Sequence, residues 1–346
     1  MTFVIYAFWQ ERADMAYFRD ITGHEMTVGY LQQAVRSGNV NHAYLISGAP
    51  GSGKTLVAEA FAQALLCERG EGEACGECPA CIKFESGNHP DMIRVIHEKP
   101  LTIRVDEIRE QVVSDIEIRP YLGGRKVYLI DEAEKMNVSA QNALLKTLEE
   151  PPEYAVILLL TENRDAMLPT ILSRCTELPL RPLPDAEVRR WLMEEMKVPD
   201  YQADLCTAFA QGSIGKARKL AASGDFNNVR TAALRLVTGL RTMDIATMTE
   251  EVSAFAKNRQ DALSAEDLLD VLAVWFRDVL YFKATRNADG VIFKDQIGSI
   301  REEAGRRSYE GIEAILRALQ KAGQRLRANV DFELTIELLL LTIREN

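Results

Sequence analysis

Four apolar runs without polar alternation mark the first half of the chain: AYLISG (43–48), MIRVI (92–96), KVYLID (126–131) and AVILLLT (155–161). Continuous apolar runs of this length are typical of parallel strands that are buried on both faces. Helical patterns separate the runs, as the crossover connections between parallel strands require. The pattern therefore predicts an α/β domain built on a parallel sheet.

The second half of the chain has helical periodicity. The stretch PDAEVRRWLMEEM begins a helix with Asp185 as a candidate N-cap, and no proline follows Pro199. An i, i+3, i+4, i+7 apolar pattern predicts a further helix that contains Ile312, Ile315, Leu316 and Leu319. The closing FELTIELLLLTIREN is apolar nearly all round, so we expect neighbouring helices or partner chains to bury it.

Composition narrows the class of protein. The chain has 346 residues, 47% of them hydrophobic and 27% charged, which is typical of a folded protein of two or three domains. The net charge is −10 without a basic run, which disfavours an autonomous nucleic-acid-binding protein. The first residues lack the basic and small-residue signals of a leader, and no apolar run approaches the roughly 20 residues of a membrane span. A cytoplasmic location is therefore expected.

A phosphate-binding motif follows the first apolar run. GAPGSGKT (48–55) matches G-x-x-x-x-G-K-[ST] and lies between a predicted strand and a helical pattern. Its glycines allow backbone N–H groups to surround phosphate oxygens, while Lys54 reaches the terminal phosphates and Thr55 can ligate Mg²⁺. The predicted nucleotide-binding residues are Gly48, Ala49, Pro50, Gly51, Ser52, Gly53, Lys54 and Thr55.

Polar residues further along the chain could complete this site. Asp131 ends an apolar strand and can hold Mg²⁺, and Glu132 can polarise an attacking water molecule. Asn163 and Lys216 are candidate contacts of the γ-phosphate. The alternatives are a solvated acidic turn for the carboxylate pair, and ordinary cap or surface positions for Asn163 and Lys216.

Four clustered cysteines predict a metal site. Cys75, Cys78 and Cys81 form two overlapping C-x₂-C steps, and Cys67 can complete a tetrahedral shell. A closed Cys₄ shell predicts a structural Zn²⁺, with an iron–sulfur cluster or redox thiols as alternatives. Cys175 and Cys206 are predicted to be core residues.

Taken together, these segments resemble the clamp-loader subunits of the AAA+ class. The resemblance covers roughly residues 15–220, from HAYLISGAPGSGKT through the cysteines, DEAEKM and NALLKTLEEPP to LPTILSRC. Within that family, HPDMIRV (89–95), AQNALLKTLEEPP and the chain length are similar to bacterial delta-prime subunits. The gamma/tau motor subunits usually continue much further past their collar.

The resemblance implies an organisation, partners and a role for one arginine. It implies an AAA+ nucleotide-binding domain over 15–180 with a zinc module (67–81), a helical lid over 181–240 and a helical collar for oligomerisation over 241–346. Residues 1–14 fit poorly with the sequence that begins at Met15, so we expect them to be a flexible arm or a mis-called start. The implied partners are gamma/tau and delta subunits in a hetero-pentamer, with the sliding clamp and primer-template DNA reached through that complex. Arg174 would act in trans on the ATP of a neighbouring subunit.

Other functions stay open at the level of sequence. The chain could itself be a gamma/tau-type motor ATPase, or an architectural subunit with a vestigial ATP site. A small-molecule kinase could use the same phosphate loop, although no acceptor-binding segment is evident. Lys216 stands where related subunits often carry an arginine, which contacts phosphate bidentately as lysine cannot. ATP turnover by this chain is therefore an open question.

Overall fold

The computed structural model describes residues 17–122, 124–222, 226–258, 265–328 and 330–346. The predicted arm at residues 1–14 lies outside them. The chain divides into two compact units, one of Met1–Pro184 with Gly212–Gly215, the other of Asp185–Gln211 with Lys216–Asn346. The separate lid and collar remain predictions.

The first unit contains a five-stranded parallel sheet. The order across it is β2-β3-β4-β1-β5, with bounds β1 Ala43–Ser47, β2 Met92–Arg94, β3 Lys126–Ile130, β4 Ala155–Thr161 and β5 Thr176–Pro179. The four predicted strands and the parallel sheet are thereby confirmed. The fifth strand was not predicted, because TELP is short and only Leu178 in it is buried.

Alternate residues of each strand enter two apolar layers, one on each face of the sheet. In β1, Tyr44 and Ile46 pack in one layer, whereas Ala43 and Leu45 pack in the other. Both faces are covered, which explains why the inner positions of β1, β3 and β4 are apolar. The helices of this unit are α1 Glu25–Ser37, α2 Lys54–Leu66, α3 Pro79–Glu85, α4 Val105–Ile108, α5 Val138–Glu149 and α6 Pro169–Leu172.

Short helical turns complete the first unit. Three of them are 3₁₀ helices, at Phe18–Asp20, Ala133–Lys135 and Arg164–Ala166. The segment Arg109–Val113 is a π-helical turn that continues α4. The turn at Ala133–Lys135 directly follows the acidic pair at the end of β3, so it fixes where those carboxylates point.

The second unit is helical in its described part. Its helices are α7 Asp185–Glu194, α8 Asp200–Ala210, α9 Ile214–Ala222, α10 Phe226–Gly239, α11 Ile245–Asn258, α12 Ala265–Thr285, α13 Ile297–Arg306, α14 Tyr309–Arg327 and α15 Phe332–Glu345, with a 3₁₀ turn at Lys294–Gln296. The first two residues of α9, Ile214 and Gly215, belong to the first unit. Asp185, predicted as an N-cap, is itself the first residue of α7.

The closing helices match their apolar patterns in part. In α14 the predicted positions Ile312 and Ile315 are fully buried. In α15, Ile336 and Leu340 are buried, but Leu334 and Leu338 are exposed by 52% and 43%. Neighbouring helices of the chain therefore cover only part of the apolar surface of α15. Among the described residues, no helix has both the length and the hydrophobicity to cross a bilayer.

Candidate functional site

The loop between β1 and α2 has a backbone that requires glycine. Gly51 and Gly53 adopt φ angles of 69° and 92°, in the left-handed region that glycine occupies without strain. A Cβ at Gly48 would lie 2.6 Å from Ser52 Oγ and 3.0 Å from the carbonyl oxygen of Leu180. The loop therefore has the backbone geometry that the phosphate-binding motif predicts, and its final glycine directly precedes the N-terminus of α2.

Lys54 lies beneath this loop with its side chain nearly buried. Its Nζ donates hydrogen bonds to the carbonyl oxygens of Gly48 (2.7 Å) and Ala49 (3.1 Å). It also lies 3.9 Å from Glu162 Oε1, at the end of β4. No sequence pattern marks Glu162, since its approach to Lys54 depends on β4 lying beside β1.

Three residues from two segments distant in sequence contact the loop from outside. The ring Nε2 of His24 lies 3.1 Å from the Ser52 carbonyl oxygen, and Ser213 Oγ donates to the Pro50 carbonyl oxygen at 3.2 Å. The Gly215 amide donates to the Gly51 carbonyl oxygen at 3.1 Å. A Cβ at Gly215 would lie 2.8 Å from that oxygen, so only glycine permits the approach. None of these three residues was predicted from the sequence, although the segment GSIGKA was singled out for its lysine.

The acidic pair lies at the same edge of the sheet as the phosphate loop, because both follow the carboxyl ends of parallel strands. Asp131 Oδ1 accepts a hydrogen bond from the Glu132 amide at 2.9 Å. Glu132 has a left-handed φ of 51°, and its carboxylate lies 2.6 Å from Lys135 Nζ and 3.6 Å from His97 Nε2. The Lys135 ammonium therefore engages this carboxylate, which reduces its freedom to polarise water.

The two candidate γ-phosphate contacts have local partners. Asn163 is exposed, and its Oδ1 accepts a hydrogen bond from the Asp165 amide at 3.1 Å, which caps the turn Arg164–Ala166. Lys216 belongs to the second unit, where it forms an ion pair with Asp270. A role for either side chain at a phosphate stays a prediction.

Arg174 follows α6 at the surface of the first unit, and its side chain is one-third exposed. Its Nη2 donates to Glu149 Oε1 at 2.7 Å, and its Nη1 donates to the Thr170 carbonyl oxygen at 2.9 Å and to Ser173 Oγ at 3.2 Å. None of these three partners belongs to the phosphate loop. The guanidinium is thus held at the surface by residues that are not among the predicted nucleotide-binding residues.

The four clustered cysteines come together in space. The sulfurs of Cys67, Cys75, Cys78 and Cys81 all lie within 4.8 Å of one another. The sulfurs of Cys75 and Cys81 are 3.9 Å apart, near the roughly 3.8 Å expected for two thiolates on one tetrahedral Zn²⁺. The amides of Cys78 and Cys81 each lie 3.4 Å from the sulfur three residues earlier. This cluster could hold a metal ion.

Backbone hydrogen bonds and burial shift the pKa values of individual thiols. Hydrogen bonds from backbone amides, first that of Glu77, lower the pKa of Cys75 to about 6. Burial raises the pKa of Cys81 above the usual value for a thiol. Burial likewise raises the pKa of Cys175 to about 12 and of Cys206 to about 11. Cys206 is fully buried, as predicted, and Cys175 packs partly buried against the core.

The parallel sheet with its phosphate loop defines the class of protein: an α/β P-loop fold, whose loop is of the kind that surrounds nucleotide phosphates. The family described as "DNA polymerase III, delta subunit" matches residues 23–184, and its C-terminal counterpart matches residues 234–345.

Individual relatives agree with these matches. The chain is 33% identical to DNA polymerase III subunit delta' of Pseudomonas aeruginosa, over 87% of this chain and 90% of that protein. It is 29% identical to subunit delta' of Bacillus subtilis, over 91% and 94%. The match to subunit tau/gamma of Haemophilus influenzae is 36% identical, over 66% of this chain but only 35% of that protein. The chain therefore belongs to the delta-prime family of DNA polymerase III subunits, as predicted.

Proposed function

We propose that the chain acts within the clamp loader of DNA polymerase III, where it assists ATP-dependent loading of the sliding clamp onto primed DNA. Its partners are gamma/tau and delta subunits. The observation that carries the proposal is the position of Arg174, a surface guanidinium whose partners all lie outside the chain's own phosphate loop. An arginine held in this way can reach a triphosphate bound by an adjoining subunit.

In that role, Arg174 exchanges Glu149 for the γ-phosphate of the neighbour's ATP. Both partners present oxygen atoms to the guanidinium, so the exchange keeps the arginine hydrogen-bonded. The positive charge stabilises the negative charge that spreads over the phosphate oxygens during hydrolysis.

The chain's own loop is proposed to bind ATP with Mg²⁺. Lys54 would move from the carbonyl oxygens of Gly48 and Ala49 to the terminal phosphates, and away from Glu162. Thr55 and Asp131 would hold Mg²⁺, which neutralises phosphate charge when bound. The backbone N–H groups of the loop and the N-terminus of α2 supply further positive potential.

We expect Lys54→Ala to weaken binding of a fluorescent ATP analogue by about 10- to 100-fold, because one or two charge-assisted hydrogen bonds to phosphate are lost. Fluorescence titration of the isolated chain measures this change. Lys146→Ala, at an exposed lysine on α5, is the matched control and should bind as the wild type does. If the wild type shows no saturable binding, the site is vestigial and the chain is an architectural subunit.

The cysteine cluster is proposed to hold a structural Zn²⁺. All four donors are sulfurs, which closes the coordination shell and leaves no position for a substrate. Cys67 directly follows the last residue of α2, and Cys81 lies within α3, so the metal would link the inserted segment to the helix that follows the phosphate loop.

A second candidate function is that of a motor ATPase like the tau/gamma relatives. It is favoured by the presence of both Asp131 and Glu132 beside a complete phosphate loop. The ion pair between Glu132 and Lys135 weighs against it, since an engaged carboxylate is a weaker general base.

We therefore expect Glu132→Gln to change the ATPase rate of the reconstituted complex by less than about twofold, since the other subunits perform most of the turnover. Steady-state phosphate release, measured with the clamp and primed DNA, provides the test. A loss of tenfold or more, with assembly intact, would instead favour the motor function.

A further inference from the structure

Four arginines converge on a cavity in the second unit. The cavity has a volume of about 230 Å³ and is lined by Arg241, Arg306, Arg307 and Arg344. It lies where three helices end, because α10 ends at Gly239, α13 at Arg306 and α15 at Glu345. This concentration of positive charge occurs in a chain whose net charge is −10.

Two of the arginines already have hydrogen-bond or ion-pair partners within the second unit. Arg307 is buried, donates to the Ile343 carbonyl oxygen at 2.7 Å, and pairs with Glu303. Arg306 pairs with the same carboxylate at 2.9 Å. One glutamate thus neutralises two guanidinium groups only in part, and their positions are fixed by these contacts.

The other two arginines have no such partners. The guanidinium groups of Arg241 and Arg344 make no hydrogen bond or ion pair with any residue in the described ranges. Glu345 also lines the cavity, yet it forms no ion pair with these arginines. The negative end of the α15 dipole favours a cation at Arg344, which lies in its last turn. The dipole of α10 does not stabilise a cation at Arg241 in the same way, because Arg241 lies two residues beyond Gly239, the last residue of α10.

We propose that this cavity binds a phosphate group, either free or as part of a phosphodiester. Guanidinium groups bind phosphate through forked pairs of hydrogen bonds, and a phosphate offers more oxygens and charge than one carboxylate. Arg241 and Arg344 supply the free donors, while Arg306 and Arg307 supply charge from fixed positions. The buried side chains of Val237 and Leu240 form an apolar part of the wall, which limits screening by water.

Calorimetric titration with pyrophosphate tests the proposal. The full-length chain carries Lys54→Ala throughout, so that the phosphate loop does not contribute. In this background we expect saturable binding at low salt, weakened at least about tenfold by Arg241→Ala with Arg344→Ala. Arg235→Ala is the matched control, since Arg235 is an exposed arginine on α10 that does not line the cavity.

A second measurement reports on the cavity in the wild-type chain and does not depend on the folding of any variant. Phenylglyoxal modifies accessible arginines, and peptide mass spectrometry locates the modified residues. We expect pyrophosphate to protect Arg241 and Arg344 but not Arg235. Competition by a single-stranded oligonucleotide would identify a phosphodiester as the ligand, whereas its failure would leave free phosphate.

Three results would overturn the proposal. The first is that the Lys54→Ala chain does not bind pyrophosphate. The second is that adding Arg241→Ala and Arg344→Ala leaves the affinity of the Lys54→Ala chain unchanged. The third is that a glutamate-rich peptide binds at the same arginines more tightly than pyrophosphate does. The last result would assign the cavity to an acidic protein partner.

Discussion

Replacing Arg174 by alanine is expected to lower the ATPase rate of the reconstituted complex by about 10³-fold per affected site, while the subunits still assemble. This is the lower end of the range for arginines that complete a neighbour's phosphoryl-transfer site. The large effect follows from the loss of positive charge at the point where negative charge develops in the transition state. Phosphate release and gel filtration of the same preparation measure turnover and assembly separately.

The partner of Arg174 provides the control. Glu149→Gln removes the charge of the carboxylate that holds the guanidinium at 2.7 Å but leaves the arginine in place. A half-exposed ion pair of this kind contributes about 0–1 kcal/mol, so this variant should fold and retain most of the turnover. If both variants reduce the ATPase rate equally, the pair has a structural role and the action in trans is contradicted.

Loss of the metal is the second large expected effect. We expect one Zn²⁺ per chain as purified, and Cys78→Ser should abolish stoichiometric zinc and unfold the module around residues 67–85. Structural zinc sites have apparent binding free energies of about 10–16 kcal/mol, comparable with the whole stability of a domain. Atomic absorption measures the metal, and thermal unfolding measures the stability.

Substitution of a cysteine outside the cluster distinguishes the loss of metal binding from a general effect of removing a thiol. Cys175→Ser should retain the full zinc content, because its sulfur is not part of the group of four. It should also leave the module folded, although some loss of core packing is expected at this partly buried position. Iron in the purified protein, with the absorption bands of an iron–sulfur cluster, would contradict the zinc assignment.

Local patterns were sufficient for much of the fold. Four strands were predicted because each is an uninterrupted apolar run whose burial does not depend on which strand lies beside it. The fifth strand was missed because Glu177 and Pro179 are exposed and the segment pairs only with β1. Its identity as a strand depends on a neighbour more than 100 residues away in sequence, and no short pattern reports that neighbour.

The residues of the candidate site likewise fall into two groups, those predicted from local sequence and those recognised only in the structure. Lys54 and the loop glycines were identified because their chemistry requires fixed spacing along the chain. Glu162 and His24 were missed because their contacts with the loop arise from the strand order and from a turn with a left-handed histidine. Likewise, the contact of His97 with Glu132 joins residues from two separate strand ends.

By itself, the sequence determined the parallel sheet, the phosphate loop, the four-cysteine cluster and membership of the delta-prime family, because each depends on residue types at fixed separations. Only the tertiary structure decided which groups lie against the functional side chains: Glu162 near Lys54, His97 near Glu132 and Glu149 on Arg174. It also brought the arginines of three helix ends to one cavity. These pairings are set by packing between distant segments, and electrostatic interactions depend on distance in space and not on separation along the chain.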